Sequence, residues 1–246
     1  MRLIAVGLVV ALLVGCNQSA PASSPASSPT DAIAPGATSD ALIEQSDVPP
    51  VLALRAQACD RPQPRDGVAV VVAPSLVATA GHLVEGALRS LEVDGRAATV
   101  VALDLAADLA VLEVPFDTAR PADAASTPTI GEPAVGPVRV LTAGDESRAE
   151  IIEIMTLRVN NLADDRVDER RSAKLDLDVQ PGDSGSAVVD KQGALVGIVT
   201  LRRPASGVSY ATTADLLSEL LDTIYSAPDA LTDDRNAARE SESCSG

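Results

Sequence analysis

Aromatic residues are almost missing from this chain of 246 residues, which contains two Tyr, one Phe and no Trp. Hydrophobic residues still make up 46% of it, so the predicted core consists mainly of Val, Leu, Ile and Ala. Basic residues are scarce too: 19 Lys and Arg stand against 35 Asp and Glu, which gives a formal net charge of -16. A surface this acidic repels phosphate backbones, which excludes nucleic-acid binding as the main function.

Histidine and cysteine occur in only one and three copies, and no two cysteines form a CxxC pair. This scarcity excludes a zinc finger and any metal site built only from His and Cys. We therefore expect no metal and no cofactor. An apolar run long enough to span a bilayer is also missing. The N-terminal run, residues 3–14, has twelve apolar or glycine residues, whereas a membrane-spanning helix needs about 20.

The N-terminus has the pattern of an export signal. Arg2 is followed by the apolar run. Residues 13–16, LVGC, overlap the end of this run and resemble a bacterial lipobox. The resemblance implies that residues 1–15 are a signal peptide, that cleavage occurs before Cys16, and that this cysteine carries the lipid anchor. Because Asn17 replaces the Asp that retains such proteins at the inner membrane, we expect anchoring at the outer membrane or cell surface. The alternative is an ordinary signal peptide with a chance cysteine.

The two ends of the mature chain are polar and lack apolar periodicity. Residues 16–55 are rich in Ser, Ala and Pro, which predicts a flexible tether, and residues 228–246 form an acidic tail. The folded domain is therefore expected over 56–227. Cys59 and Cys244 lie near opposite edges of this region. In an oxidising, exported compartment they are expected to pair, and the alternative is two free thiols on flexible ends.

Short apolar runs separated by turn residues fill the middle of the chain, a pattern typical of β-strands. The Asp94-Gly95 dipeptide between two runs is a strong hairpin signal. A stretch with Pro and Gly, residues 118–133, divides the runs into two comparable sets, which favours a pair of packed antiparallel barrels. The predicted strands are Val68–Ala73, Leu76–Thr79, Leu91–Val93, Ala97–Asp104, Leu109–Val114, Val138–Thr142, Ile151–Val159, Lys174–Val179, Ala187–Val189, Leu195–Leu201 and Val208–Ala211.

One segment has helical rather than strand periodicity. Residues 214–225 repeat apolar side chains at helical spacing, with Thr213 as an N-cap, Asp215 in the first turn and Pro228 after the end. An amphipathic helix is therefore predicted to close the domain. Its apolar face consists of Leu216, Leu217, Leu220, Leu221 and Ile224.

Three short motifs contain residues of catalytic type, and each has a plain alternative when taken alone. Ser184 lies in QPGDSGS, where a tight turn either exposes its hydroxyl beside backbone N–H groups or only connects two strands. His82 is the last residue of TAGH, at the end of an apolar strand. It is either a catalytic base or an ordinary surface or core residue. Asp108, in DLAADLAVL, stands at the start of an apolar strand. It is either a strand-end cap or the partner of an imidazole.

Taken together, the order His82, Asp108, Ser184 within two sets of short strands resembles the chymotrypsin-fold (trypsin-like) serine proteases. The most similar types are compact and bacterial: the high-temperature-requirement proteases, which share DLAVL, and the glutamyl endopeptidases, which share TAGH and PGDSGS. The resemblance covers about residues 67–225. It implies an all-β fold of two packed antiparallel β-barrels closed by a C-terminal helix.

The resemblance also implies a role for each residue of the motifs. Ser184 would attack the scissile carbonyl, His82 would accept its proton and return it to the leaving amine, and Asp108 would orient the imidazole. The N–H groups of Gly182 and Ser184 would form the oxyanion hole. Asp104 is the rival of Asp108, but in the related motif the second aspartate is the catalytic one.

The specificity pocket is less well defined by the sequence. Asp178 lies six residues before Ser184, the spacing that in trypsin-like enzymes places a carboxylate at the base of a pocket for Lys or Arg. In glutamyl endopeptidases this position does not define specificity. The pocket would then be small and apolar, lined by Val199 and Thr200. The sequence leaves both alternatives open.

Three charged features outside the triad have open interpretations. Asp183 needs a partner that the sequence does not identify, because no IVGG-like sequence that could supply a freed amine precedes the first strand. Arg202 and Arg203 are either pocket-edge residues or solvated charges. The charged segment 164–171 is predicted to be a solvated surface loop, with calcium binding as the minority alternative because its arginines oppose a cation.

The sequence therefore predicts an exported, membrane-tethered serine endopeptidase. Its expected partners are protein or peptide substrates and, through the lipid on Cys16, a membrane. The main alternative is a catalytically silent lipoprotein with the protease fold that binds peptides or a partner protein. A purely structural envelope lipoprotein would leave the spacing of the three motifs unexplained.

Overall fold

The computed structural model describes residues 48–116, 127–161 and 166–226, all of which belong to one compact unit. The predicted signal peptide, most of the predicted tether and the predicted acidic tail lie outside these residues. Cys16 and Cys244 lie outside them as well.

Two antiparallel sheets follow one another along the chain. The first is formed by β1 (Val51–Ala58), β2 (Arg65–Ala73), β3 (Leu76–Ala80), β4 (Leu88–Val93), β5 (Arg96–Ala97), β6 (Thr99–Asp104) and β7 (Leu109–Glu113), with the short helix α1 (Gly81–Val84) after β3. The second is formed by β8 (Gly136–Leu141), β9 (Glu146–Asn161), β10 (Arg166–Leu175), β11 (Ala187–Val189), β12 (Leu195–Arg203) and β13 (Val208–Thr213), followed by helix α2 (Ala214–Ser226).

The spatial order of the strands gives the barrel-like architecture. The first sheet has the order β5-β4-β1-β2-β3-β7-β6, and the second closes into a barrel in the order β10-β13-β12-β11-β8-β9. Each named pair of strands is antiparallel, as in β3 with β7 and β12 with β13. The predicted all-β, chymotrypsin-like fold with a closing helix is confirmed.

The central strands of the first sheet are apolar at nearly every position because both of their faces are covered. In β2, Ala69 and Val71 pack into a cluster within the first sheet. Val70, which points the opposite way, packs into a second cluster that also contains Ile198 of β12 and Leu217 of α2. This second cluster joins the two sheets and the helix, so the loops between them are held in fixed relative positions.

The folded region begins earlier than the boundary predicted at residue 56. Strand β1 starts at Val51, inside the segment predicted to be tether, and pairs with both β2 and β4. Leu54 and Ala56 are buried, while Arg55 between them is exposed. The alternation is therefore that of a half-buried strand, but alanine in place of β-branched residues makes the pattern weak.

Residues 166–171 of the charged segment 164–171 are strand, so the predicted surface loop is wrong for these residues. β10 begins at Arg166 and pairs with β9 as far as Leu175, so only the first two residues of the strand predicted over 174–179 are strand. Arg171 faces solvent, whereas Arg170 is buried. An inner face that starts with an arginine has no apolar alternation, which is why the pattern did not predict a strand.

The remaining predictions of element type hold with shifted bounds. The strand predicted over 97–104 is divided into β5 and β6, and α2 occupies the predicted helix with Leu217 and Leu220 buried. The four-residue helix α1 was not predicted, because it is too short to show a helical period. Within the described ranges, no helix is both long and apolar enough to cross a membrane.

Candidate active site

Three connections between elements bring the motif residues together. His82 lies in α1, directly after β3, and Asp108 ends the turn between β6 and β7. Ser184 lies in the turn before β11, in the second sheet. The amide of Val68 in β2 donates to the carbonyl of Ser184 at 2.8 Å, so the serine turn is hydrogen-bonded directly to the first sheet.

The side chains of His82, Asp108 and Ser184 form one hydrogen-bonded series. His82 Nδ1 lies 3.0 Å from Asp108 Oδ1 and 3.1 Å from Oδ2, and His82 Nε2 lies 3.2 Å from Ser184 Oγ. The backbone N–H of His82 also donates to Asp108 Oδ1 at 2.8 Å. With Nδ1–H donating to the carboxylate, Nε2 is left as the acceptor for the serine hydroxyl, which is the arrangement that general-base activation requires.

The backbone around Asp108 fixes its carboxylate. Asp108 has a left-handed φ of 55°, and its carbonyl accepts a hydrogen bond from the N–H of Gly81 at 3.0 Å. A Cβ at Gly81 would lie 3.1 Å from the carbonyl carbon of Asp108, so the two segments approach closely because residue 81 is glycine. Helix α1 and the aspartate turn are therefore held as one piece.

Asp104, the rival candidate, has a different place. Its Oδ1 accepts a hydrogen bond from the N–H of Ala107 at 2.9 Å, which closes the turn between β6 and β7. The structure therefore brings Asp108, and not Asp104, to the imidazole. Asp104 instead stabilises the turn that contains Asp108.

Arg65 anchors the end of the helix that contains His82. One of its terminal nitrogens donates to the carbonyls of His82 at 3.0 Å, Leu83 at 3.3 Å and Glu85 at 2.7 Å. These carbonyls lie at the C-terminal end of α1, where no intrahelical donor is available. Burial lowers the pKa of Arg65 from its usual value. This role could not be predicted from the sequence, because an arginine in a charged stretch at the start of a strand resembles a surface residue.

The turn around Ser184 has an internal hydrogen-bond pattern. Asp183 Oδ2 accepts from the N–H of Gln180 at 2.7 Å, which supplies the partner that the sequence left open. The N–H of Gly185 donates to the carbonyl of Val199 at 2.8 Å. In the part of the chain that the structure describes, the N–H groups of Gly182 and Ser184 have no such acceptor. These two donors are therefore available for an oxyanion.

We expect Gly185→Ala to disrupt the contact between this turn and the first sheet. Gly185 has a φ of 91°, and a Cβ there would overlap the carbonyl oxygen of Val68 and lie 2.6 Å from Thr79 Oγ1. Urea denaturation should show a loss of about 3 kcal/mol or more in the free energy of unfolding. Gly182→Ala is the matched control, because its φ of 103° is also left-handed but no atom lies within 4 Å of its Cβ. It should lose only about 1 kcal/mol, and equal losses in the two variants would contradict the described contact.

A cavity of about 820 Å³ lies beside the imidazole. Its volume is in the range of ligand-binding pockets in proteins. Within the described residues, no group of three or more His, Cys, Asp or Glu is placed to hold a metal ion. Residues that line the cavity include Cys59, Arg61, His82, Arg170, Thr200 and Leu201.

The three predicted pocket residues have different surroundings. Asp178 is paired with Arg202, whose Nε donates to Oδ1 at 2.8 Å and whose terminal nitrogen donates to Oδ2 at 3.1 Å. These hydrogen bonds lower the pKa of Asp178. Val199 is buried among the apolar side chains of the barrel, and Thr200 lines the cavity beside His82. Of the three, only Thr200 lines the cavity beside His82.

Sequence reasoning missed Arg170, which lies in direct contact with the site. Its guanidinium is 3.3 Å from Asp108 Oδ2 and 3.4 Å from Thr200 Oγ1. The segment that contains it was predicted to be a solvated loop. The only feature of the sequence that bears on Arg170 is its position four residues after Arg166 in a charged stretch. This position does not show whether the side chain points inward or outward.

Comparison with known proteins identifies the family. A model of the trypsin-like peptidase domain matches residues 67–198, which is more than half of the chain. The chain belongs to the trypsin-like peptidase family. The resemblance noted in the sequence is therefore confirmed. Membership makes this trypsin-like peptidase a hydrolase of the serine protease class, with peptides or proteins as substrates.

Solved protease structures have the same fold as this trypsin-like peptidase. The active form of the Rv3671c protease from M. tuberculosis matches with a TM-score of 0.59 at 23% identity, over 71% of this chain and 80% of that one. An inactive form of Rv3671c matches with a TM-score of 0.54 at 25% identity, over 71% and 88%. The HtrA-type protease AlgW with a tripeptide matches with a TM-score of 0.55 at 23% identity, over 72% of this chain but only 60% of that one. No curated protein matches the sequence.

The cysteines of the trypsin-like peptidase are described only in part. Cys59 is disulfide-bonded, and its partner lies outside the described residues. Its N–H donates to the carbonyl of Ala87 at 2.9 Å, at the rim of the cavity. Pairing of Cys59 with Cys244 and lipidation of Cys16 therefore stay predictions.

Proposed function

We propose that this peptidase is a serine endopeptidase that works through a Ser184–His82–Asp108 triad and an acyl-enzyme. The observation that carries the proposal is the unbroken series of contacts, 3.2 Å from Ser184 Oγ to His82 Nε2 and 3.0 Å from His82 Nδ1 to Asp108 Oδ1. Both distances are within hydrogen-bond reach for proton transfer and orientation.

In each half of the proposed reaction, His82 first accepts a proton and then returns it to the leaving group. Ser184 Oγ attacks the carbonyl carbon of the scissile bond while its proton passes to His82 Nε2. Asp108 holds the imidazole and balances the charge of the imidazolium. The N–H groups of Gly182 and Ser184 would receive the oxyanion, with about 3–4 kcal/mol for one such donor. His82 then protonates the leaving amine as its bond to the acyl carbon breaks. In the second half His82 takes a proton from a water molecule, whose oxygen attacks the ester on Ser184. His82 returns this proton to Ser184 Oγ as the ester bond breaks, which releases the carboxylic acid product and the free enzyme.

The proposal is tested by covalent labelling with a fluorophosphonate probe. We expect the folded, full-length protein to be labelled at Ser184, because only a serine activated by a base reacts rapidly with this probe. Ser184→Ala should abolish the labelling. Ser186→Ala is the matched control, because Ser186 lies in the same turn but is fully buried. If folded wild-type protein is not labelled, or if labelling survives Ser184→Ala, the peptide-binding alternative replaces the enzyme.

We further propose that the peptidase does not select Lys or Arg before the cleaved bond. The support is that the Asp178 carboxylate already has two hydrogen bonds to Arg202, at 2.8 and 3.1 Å. A carboxylate satisfied by its own chain offers little to a substrate cation. The proposed preference is for small apolar residues, with Thr200 near the triad.

Removal of Arg202, the partner of Asp178, should change the proposed preference for small apolar residues. We expect Arg202→Ala to raise cleavage after Lys or Arg by about fivefold to tenfold relative to cleavage after Ala or Val, because it frees the charge of Asp178. A peptide library with mixed residues before the cut measures the ratio. Arg203→Ala is the control, because Arg203 lies over the ring of Tyr210 instead, 5.5 Å from its centre. Wild-type cleavage mainly after Lys or Arg that is lost in Asp178→Asn would overturn the proposal.

We also propose that the peptidase is exported and tethered to the outer membrane or cell surface through Cys16. The support is the lipobox-like LVGC sequence at residues 13–16, followed by Asn17. Several acyl chains on one cysteine would make the anchoring stable. Cys16→Ser should move the protein out of the membrane fraction or block its maturation. An intact mass of the natural protein that starts at another residue, without acyl chains, would contradict the tether.

A further inference from the structure

Arg170 is a buried cation directly beside the triad aspartate. Among the residues that the structure describes, Arg170 and Asp108 are the only buried charged side chains, at 6% and 8% exposure. Burial lowers the pKa of Arg170, and the nearby Asp108 carboxylate acts in the opposite direction. Arginine remains charged at any pH used for an assay. A charge removed from water in this way is tolerated when it is paired, and Asp108 is the nearest partner.

The Asp108 carboxylate is held from three directions. The His82 backbone N–H donates to Oδ1 at 2.8 Å, and the imidazole lies 3.0 and 3.1 Å from the two oxygens. Arg170 donates to Oδ2 at 3.3 Å. The arginine is therefore the only one of these donors that does not come from His82. Arg170 therefore fixes the orientation of the Asp108 carboxylate independently of His82, the residue that this carboxylate orients.

A second series of hydrogen bonds links Arg170 to the backbone of the aspartate turn. Thr212 Oγ1 donates to the carbonyl of Ala107 at 2.8 Å, so its oxygen accepts from Thr200 Oγ1, 3.2 Å away. Thr200 Oγ1 in turn accepts from Arg170 at 3.4 Å. Arg170 thus contacts the carboxylate directly and the preceding residue through two threonines. These two routes hold the Asp108 turn against β10, β12 and β13.

We propose that Arg170 is a positioning residue of the triad: it holds the Asp108 carboxylate in the plane that orients the His82 imidazole. The proposal deepens the proposed serine endopeptidase and rests on it. Arg170 acts through Asp108 and does not touch the serine hydroxyl. Its loss should therefore reduce the rate of the chemical step more than the binding of the substrate.

The kinetic test compares Arg170→Met with Arg170→Lys. We expect Arg170→Met to lower kcat by about 10- to 100-fold per active site with KM nearly unchanged, because misplaced catalytic groups reduce rates by this order. Arg170→Lys keeps the charge and should retain part of the kcat that Arg170→Met loses. If Arg170→Met does not fold, Arg170→Lys is compared with the wild type instead. Arg171→Met is the matched control, because the exposed Arg171 pairs with Asp215 at 2.7 Å instead. Active sites are counted with the fluorophosphonate probe.

A double variant tests whether Arg170 acts through Asp108. In the Asp108→Asn background, Arg170→Met or Arg170→Lys should cause little further loss, since the carboxylate that the guanidinium orients has gone. Fully additive losses would overturn the proposal. So would an unchanged kcat per titrated site, which indicates a purely structural residue, or a rise in KM alone, which indicates a substrate contact.

A spectroscopic measurement separates this proposal from the proposed function. The chain has a single histidine, so one Nδ1–H resonance in ¹⁵N-labelled protein reports the His82–Asp108 hydrogen bond without ambiguity. We expect a downfield imidazole proton in the wild type and in Arg171→Met, and its loss or upfield shift in Arg170→Met and Arg170→Lys. If the wild-type protein shows this resonance but hydrolyses no peptide, the proposed function fails while the positioning role stands. An unchanged resonance in folded Arg170 variants overturns the positioning role alone.

Discussion

Ser184→Ala and His82→Ala should each lower the turnover of peptide substrates by about a million-fold, the order found when a triad nucleophile or base is removed from a serine protease. The expectation follows from the 3.2 Å contact between Ser184 Oγ and His82 Nε2. Without the hydroxyl no acyl-enzyme forms, and without the imidazole the hydroxyl keeps its proton. The measurement is kcat/KM with a chromogenic peptide or a labelled protein substrate.

The double variant gives the sharper form of this prediction. Because the two residues act as a unit, Ser184→Ala combined with His82→Ala should be no slower than either variant alone. Circular dichroism and thermal unfolding verify that all three variants are folded. If His82→Ala retained more than about a tenth of wild-type turnover, or if the two losses were additive, the triad would be wrong.

Asp108→Asn should lower kcat by about ten-thousand-fold, whereas Asp104→Asn should change it by less than about threefold. The amide at Asp108 would donate to the imidazole and favour the tautomer that has no free acceptor toward Ser184. The amide at Asp104 retains an oxygen for the N–H of Ala107, which is the contact that Asp104 makes in the structure. The comparison is matched in chemistry, and the two sites are four residues apart.

The same pair of variants can contradict the assignment of the acid. If Asp104→Asn were severe and Asp108→Asn mild, the catalytic acid would be Asp104. Substrate affinity should not change in either variant, so the loss for Asp108→Asn is expected in kcat and not in KM. A loss in Asp108→Asn that disappears when turnover is expressed per labelled active site would indicate misfolding instead.

The sequence predicted the fold class and the three motifs because these features depend on local patterns. Apolar runs of strand length, the Asp94-Gly95 turn and the helical spacing in 214–225 each appear within a few residues. The order of His82, Asp108 and Ser184 could be compared with a family because the residues lie in short, specific motifs. The distances between them, in contrast, depend on the packing of two sheets.

What the sequence did not predict depends on side-chain direction. Arg170 and Arg171 are neighbours in a charged segment, yet one is buried against Asp108 and the other faces solvent. Asp178 lies at the position of a specificity carboxylate, but its pairing with Arg202 depends on how β12 aligns with the segment before Ser184. In both cases the question is which way a polar side chain points, and hydrophobic periodicity carries no information about that direction.

The most direct test of the catalytic account is the intact mass of the protein during reaction with an excess of an activated ester whose acyl group is released slowly. After an acid quench, the account predicts an increase equal to the mass of the acyl group on the peptide that contains Ser184, and no increase in Ser184→Ala. Release of the ester's alcohol by the wild-type protein without any adduct, or an adduct on another residue, would contradict the proposed acyl-enzyme.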